Sequence, residues 1–185
     1  MTKYNIDQVL HKANSFAKKG NNHEARFLLN QIIDHYPNNL RVKEALSKLN
    51  ITTASNLFNQ ASIYHSNGNL VKAMDLYQSA ISVRTDFPEV YNNLGMIYKT
   101  NGDFEKALYY YKKALYYKNN FAQAYYNIGD LLRHLKNWNG AILAFKQSIK
   151  YQPKHKNSYF NLANCLKETK KYDEAIKMYK KSILL

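Results

Sequence analysis

The side chains that most often carry enzyme chemistry are sparse in this chain and lack catalytic spacing. The six histidines, at positions 11, 23, 35, 65, 134 and 155, form no metal motif, because His23-Glu24 is followed by no second histidine at the required offset. No G-x-S-x-G nucleophile motif is present. The single cysteine, Cys165, is expected to be a small buried residue rather than a nucleophile. The sequence therefore predicts a non-enzyme with no catalytic residue, no metal and no cofactor.

A different chemistry, hydrogen bonding to a peptide backbone, is suggested by amides that recur every 34 residues. These amides are Asn59, Asn93, Asn127 and Asn161. An asparagine side chain both accepts and donates hydrogen bonds, so it can pair with the C=O and the N–H of an extended peptide. A column of asparagines would hold a peptide largely independently of its sequence. The alternative is compositional, because the whole chain is rich in asparagine.

Two further columns accompany the amides at the same period. A basic column comprises His65, Lys99, Arg133 and Lys167, and a mostly aromatic column comprises Phe58, Asn92, Tyr126 and Phe160. Basic groups would favour acidic segments or a C-terminal carboxylate. An aromatic ring could anchor a partner side chain. The alternatives are solvated lysine for the first column and packing against the neighbouring unit for the second.

The columns recur because most of the chain is built from copies of one unit. The copies span residues 6–39, 54–87, 88–121, 122–155 and 156–185, the last being incomplete. A fixed period of this length predicts an array of stacked units. Apolar residues at helical spacing on either side of a short polar turn predict two amphipathic helices in each copy.

Small residues recur where the two helices of a unit must meet. In the first helix they are Ala13, Ala61, Gly95, Gly129 and Ala163, and in the second Ala25, Ala73, Ala107, Ala141 and Ala175. At about 100° per residue, the amide, basic and aromatic columns lie opposite this packing stripe, on a face that need not pack. The turn carries Gly20, Gly68 and Gly102 in three units but Lys136 and Lys170 in two, so those two turns must differ or carry strain.

Residues 40–53 interrupt the period. Their apolar spacing predicts one extra amphipathic helix without a partner helix of its own. Asn50 to Thr53 is predicted to be a short link, with Thr52 or Thr53 capping the next helix.

The recurring residues resemble the tetratricopeptide repeat. The matching positions are Tyr91, Leu94, Gly95, Tyr98, Ala107, Tyr111 and Ala114, then Tyr125, Ile128, Gly129, Ala141, Phe145 and Pro153. The resemblance implies an all-α fold, an α-solenoid of antiparallel helix pairs in a right-handed superhelix with a concave groove. It also implies binding of peptide segments of other proteins rather than catalysis. The amide column is similar to the asparagine ladder of the O-linked N-acetylglucosamine transferases. The chaperone-binding clamp of some members is not matched, because the aromatic column contains no lysine.

The formal net charge of +14 is the strongest compositional feature. It would suit a polyanionic partner, but a chain rich in Lys, Asn, Ile and Tyr also reflects A/T-rich codons. No nucleic-acid recognition fold accompanies the charge, so a nucleic-acid partner is not expected. No apolar run approaches the roughly 20 residues that span a bilayer, and no signal peptide is recognisable, which favours the cytoplasm.

The sequence thus favours a non-catalytic scaffold that binds an extended, acidic peptide segment in its groove. On this hypothesis, replacing Asn93 and Asn127 with alanine weakens partner capture without lowering the melting temperature. The alternative is an N-terminal substrate-recruiting module of a larger glycosyltransferase or sulfotransferase, because the apolar Ile183 to Leu185 suggests that the array continues. The sequence leaves the oligomeric state open.

Overall fold

The computed structural model describes residues 5–185, and these form ten α-helices and no strand. The helices are α1 Ile6–Lys18, α2 Asn22–His35, α3 Leu40–Ser66, α4 Leu70–Val83, α5 Pro88–Thr100, α6 Phe104–Tyr117, α7 Ala122–His134, α8 Trp138–Tyr151, α9 Lys156–Glu168 and α10 Tyr172–Ile183. They form two compact units, α1–α4 ending at Thr85 and α5–α10 beginning at Asp86. Within 5–185, no helix is both long enough and apolar enough to cross a bilayer.

Each unit is a stack of antiparallel helices, as an α-solenoid requires. In the first unit α1 packs on α2, α2 on α3 and α3 on α4. In the second unit each helix from α5 to α10 packs on the next one in the chain. The second unit has additional contacts between α5 and α7 and between α7 and α9. The first helices of successive repeats in this unit are therefore direct neighbours.

The close approach of the two helices in a pair depends on the recurring small residues. A Cβ at Gly95 would lie 2.5 Å from Cε1 of Tyr111, and one at Gly129 would lie 2.8 Å from the ring of Phe145. Both distances are shorter than carbon atoms tolerate, so these glycines are needed where a large ring of the second helix crosses the first. The second-helix alanines are buried in every repeat: Ala25, Ala73, Ala107, Ala141 and Ala175.

The extra helix and link predicted for residues 40–53 are not separate elements. Helix α3 runs without interruption from Leu40 to Ser66, so the predicted break at Asn50 to Thr53 is wrong. Thr52 and Thr53 cap nothing; their hydroxyls donate to the carbonyls of Lys48 and Leu49 at 3.0 and 2.8 Å. Threonine tolerates a helix interior when its hydroxyl bonds the carbonyl four residues back. Arg26 Nε of α2 also donates to Asn50 Oδ1 at 3.0 Å, which ties the middle of α3 to α2.

The turns between paired helices all use a left-handed residue, including the two turns that lack glycine. Gly102 has φ 80°, while Lys136 and Lys170 have φ 58° and 61°. The lysine turns therefore keep the glycine geometry and carry the strain that the sequence allowed for. The strain arises because the Cβ of an L-residue crowds its carbonyl oxygen in this region, at a cost of about 1–2 kcal/mol.

Replacing Lys136 with glycine is expected to stabilise the fold. Relief of the left-handed strain should exceed the extra flexibility of glycine in the unfolded chain, for a net gain of about 1 kcal/mol. The measurement is the free energy of unfolding in urea. The matched control is Lys146→Gly on the exposed side of α8, where glycine should instead cost about 1 kcal/mol. Equal destabilisation by the two changes would contradict the strain at position 136.

Candidate functional site

The first helices of the second unit are joined by hydrogen bonds between repeats. Asn127 Nδ2 on α7 donates to Asn92 Oδ1 on α5 at 2.8 Å, and Asn161 Nδ2 on α9 donates to the Tyr126 hydroxyl on α7 at 3.2 Å. In both bonds the donor is the recurring asparagine, and the acceptor lies 35 residues earlier. The recurring amide of one repeat therefore bonds the aromatic-column position of the repeat before it.

Two members of the predicted columns are buried by this arrangement. Asn92 is 4% exposed and Asn127 is 8% exposed. Asn127 Oδ1 also accepts a hydrogen bond from Gln123 Nε2 at 3.2 Å. The expectation that the columns occupy a face that need not pack is wrong for these two residues, because α5 and α7 approach each other along it. Asn93 and Asn161 are half-buried, and Asn59 is exposed on α3 of the first unit.

Two members of the basic column pair with an acidic residue, Asp130, that the sequence alone did not single out. Lys99 Nζ is ion-paired with Asp130 Oδ2, and Arg133 Nη2 donates to Asp130 Oδ1 at 2.7 Å. Burial opposes ionisation of Asp130, but its hydrogen bonds with Lys99 and Arg133 outweigh burial and hold its pKa below the usual value. The only sequence signal was the spacing of three residues between Asp130 and Arg133, which places them on one side of a helix.

The Lys99–Asp130–Arg133 cluster keeps one net positive charge and unused donors. The Nε of Arg133 is buried without a hydrogen-bond partner in the described residues. Lys167, further along the same column, is exposed on α9 and makes no ion pair within residues 5–185. His65 lies in the first unit, where burial lowers its pKa, so it is neutral at pH 7. The three positively charged members of the basic column, Lys99, Arg133 and Lys167, therefore all lie in the second unit.

The aromatic column differs in exposure along its length. Phe160 on α9 is 50% exposed, and its ring stands edge-on to Tyr179 at 5.7 Å. Tyr126 is half-buried, with the Phe145 ring at 5.8 Å and the His155 ring at 4.9 Å. Phe58, in the first unit, is half-buried and lies 5.9 Å from the ring of Tyr77. Phe160 is thus the ring of this column with most surface available to a partner.

In two repeats, a tyrosine hydroxyl of the second helix is hydrogen-bonded to the first helix of the same repeat. The Tyr77 and Ser62 hydroxyls are 3.2 Å apart, and the Tyr179 hydroxyl donates to Asn164 Oδ1 at 2.6 Å. The corresponding hydroxyl of Tyr111 is buried without a partner in residues 5–185, and burial raises its pKa. In the repeat of Tyr111, the position that corresponds to Ser62 and Asn164 is occupied by Met96.

Metal-binding side chains do not cluster in the described residues, and the single cysteine is buried. Among residues 5–185, no group of three His, Cys, Asp or Glu side chains could hold a metal ion. Cys165 is fully buried, and burial raises the pKa of its thiol to about 11. A thiol with that pKa stays protonated near neutral pH, so Cys165 is a poor nucleophile.

Family models identify the repeats. Models described as "Tetratricopeptide repeat" match residues 9–39, 88–121 and 120–183, and a model described as "TPR repeat" matches residues 61–102. The chain belongs to the tetratricopeptide repeat family. The matches to this TPR chain leave only its N-terminal residues, part of α3 and the last two residues uncovered. No curated protein matches the TPR chain in sequence.

Solved structures share the fold at low sequence identity. The crystal structure of MamA is 20% identical with a TM-score of 0.64, and the match covers 92% of each chain. YrrB, titled a TPR protein with an unusual peptide-binding site, is 16% identical with a TM-score of 0.59, covering 95% of this chain and 83% of YrrB. The first TPR of Spaghetti (RPAP3), solved with an HSP90 peptide, is 17% identical with a TM-score of 0.61, covering 64% of this chain and 94% of that one.

Truncating Asn127 is expected to destabilise the second unit. Asn127→Ala removes the bond to Asn92 and leaves a buried carbonyl oxygen unpaired, which should cost about 1–3 kcal/mol. Asn59→Ala, the same position in the repeat but exposed, should change stability by less than about 0.5 kcal/mol. Chemical denaturation of both variants measures the difference. If the two changes are equally mild, the bond between repeats contributes nothing.

Removing the hydroxyl of Tyr111 and removing that of Tyr179 should have different effects on stability. Tyr111→Phe removes a buried polar atom without a partner and should leave stability unchanged or raise it by up to about 1 kcal/mol. Tyr179→Phe breaks the bond to Asn164 and should cost about 1 kcal/mol. Thermal unfolding of the two variants provides the comparison, and a larger loss for Tyr111→Phe would show that its hydroxyl is satisfied in solution.

Proposed function

We propose that this TPR protein is a non-catalytic scaffold that binds an extended, acidic peptide across the face formed by α5, α7 and α9, called here the first-helix face. The observation that carries the proposal is the exposed Phe160 on the same helix as the unpaired Lys167. Phe160 and Lys167 are seven residues apart, about two turns along one side of α9. The ring can anchor an apolar side chain while the cation attracts an acidic residue further along the peptide.

The charge of the first-helix face supports an acidic ligand. Lys99 and Arg133 share the single carboxylate of Asp130, so the pair retains one positive charge, and Lys167 adds another. Arg133 has N–H donors beyond the one given to Asp130, and a guanidinium is well suited to carboxylate recognition. A peptide carboxylate could therefore bind beside Asp130 without displacing it.

The amide column has two roles on this proposal. Asn127 and Asn92 are buried and bonded to each other, so they position α5 and α7 rather than contact the ligand. Asn93 and Asn161 are only half-buried and are the amides that we assign to the peptide backbone, as in the asparagine ladder. Each such hydrogen bond contributes roughly 0.5–1.5 kcal/mol, so amides alone would give only weak binding. The ring of Phe160 and the cations must supply the rest.

Tyr126 is assigned a supporting contact, since its ring is half-buried and its hydroxyl is already bonded to Asn161. Phe58, Asn59 and His65 lie on α3 in the first unit and remain predicted contacts for a peptide long enough to reach them. Peptide recognition by the fold relatives also favours the proposal, since YrrB is described with a peptide-binding site and RPAP3 with a bound HSP90 peptide.

The test is selection of binders from a displayed random-peptide library on the immobilised full chain. We expect enrichment of peptides that combine acidic residues with an apolar anchor. For an enriched peptide, Phe160→Ala and Lys167→Gln should each weaken binding by about tenfold, as measured by fluorescence anisotropy.

The matched controls are Tyr116→Ala and Lys146→Gln, which remove an exposed aromatic and an exposed cation from second helices. Both controls should leave the dissociation constant within about twofold of the native value. Equal losses in test and control variants would mean that charge alone attracts the peptides and would defeat the assignment to this face. Failure of the library to yield any enriched sequence would also count against it.

A further inference from the structure

A cleft of about 440 Å³ lies in the first unit between α1, the start of α2 and the first half of α3. Lys48, Leu49 and Thr52 of α3 form one wall of the cleft. The cleft is remote in sequence from the first-helix face, and its proposed ligand does not depend on the function proposed above.

Apart from Thr52, whose hydroxyl donates to the Lys48 carbonyl, the polar lining of the cleft consists of two lysines and two asparagines without a matching acid. Asn14 and Lys18 come from α1, Asn22 from the first turn of α2 and Lys48 from α3. No aspartate or glutamate lines the cleft. None of the four side chains has a hydrogen bond or an ion pair to another of the described residues. Two lysines and two asparagines, none of them paired with another described side chain, thus line one cleft.

The rest of the lining is apolar. Ala17, Ala45 and Leu49 form a surface beneath the donors, and Leu49 belongs to the core of the unit. A cleft of this size exceeds the volume of a bare inorganic anion. The arrangement suits a compact anion carried on a short apolar stem, with the stem on the alanines and the charge at the lysines.

We propose that the cleft between α1 and α3 binds a phosphoryl group carried on a short apolar stem. A phosphoryl monoester has a charge of about −1.5 to −2 near pH 7, which matches the two ammonium groups of Lys18 and Lys48. Its three terminal oxygens can accept from the lysines and from the amides of Asn14 and Asn22 at once. A small phosphate ester and a phosphorylated peptide side chain share this chemistry.

Phenyl phosphate is the probe, because it joins a phosphoryl group to a small apolar body. It is titrated into the full, ¹⁵N-labelled chain at about pH 7.5, where the phosphoryl group is mostly doubly charged. The side-chain NH₂ signals of Asn14 and Asn22 report on the cleft directly. We expect both signals to shift saturably.

Paired charge variants locate the site. Lys18→Gln with Lys48→Gln should weaken phenyl phosphate binding by about tenfold or more, because two charge-assisted bonds are lost. The control, Lys19→Gln with Lys43→Gln, removes the same net charge from exposed positions outside the cleft and should change the affinity by less than about twofold. Amide spectra with native dispersion show that each variant remains folded.

Three outcomes would overturn the proposal: no saturable shift of the Asn14 and Asn22 amides, equal weakening in both pairs of variants, or equal affinity for phenylacetate. The last would assign the cleft to singly charged carboxylates instead. A phosphoserine peptide distinguishes the sources of the phosphoryl group. Tighter binding of that peptide than of phenyl phosphate would support a phosphorylated protein partner, and tighter binding of phenyl phosphate would support a small ester.

Discussion

The close approach of two helices within each pair is the constraint on which the rest of the molecule depends. Gly95 and Gly129 leave room for the rings of Tyr111 and Phe145, and no Cβ would fit there without displacement. This contact sets how tightly the second helix lies on the first and leaves the first helices of the second unit next to one another. The hydrogen bond between Asn127 and Asn92 then joins the first helices of two neighbouring repeats. Small residues thus act inside the pairs, while polar groups join one pair to the next.

Contacts between neighbouring first helices also determine which positive charges are neutralised and which remain available to a ligand. Lys99 and Arg133 come from different repeats, yet both reach Asp130, so one carboxylate partly neutralises two cations. Lys167 has no such partner in the described residues and keeps its charge exposed. In the first unit, Lys18 and Lys48 line a cleft that has no acid among its lining residues. The chain's large positive charge is therefore organised into distinct local settings rather than spread evenly.

The repeats tolerate individual departures because each pair is packed mainly on its immediate neighbours. Lysine replaces glycine in two turns at the cost of left-handed strain, and Met96 leaves the hydroxyl of Tyr111 unpaired. Each departure costs no more than about 1 kcal/mol net, which a packed array can absorb. The fusion of an extra helix into α3 is a larger departure, and residues of its first half line the cleft against α1.

The sequence by itself determined the helix pairs. Small and large residues recur at a fixed interval because they pack against each other inside one pair. The predicted turn at Gly20 does separate two helices, α1 and α2. The unbroken course of α3 was not predictable, because threonine is found both at helix caps and, with its hydroxyl bonded to the backbone, in helix interiors. The bond from Arg26 to Asn50, which joins α3 to α2, is visible only in the tertiary structure. Nor could periodicity show that Asn127 is buried or that Lys99 and Arg133 share Asp130. Those facts depend on how one repeat meets the next, and a repeating pattern describes each repeat alone.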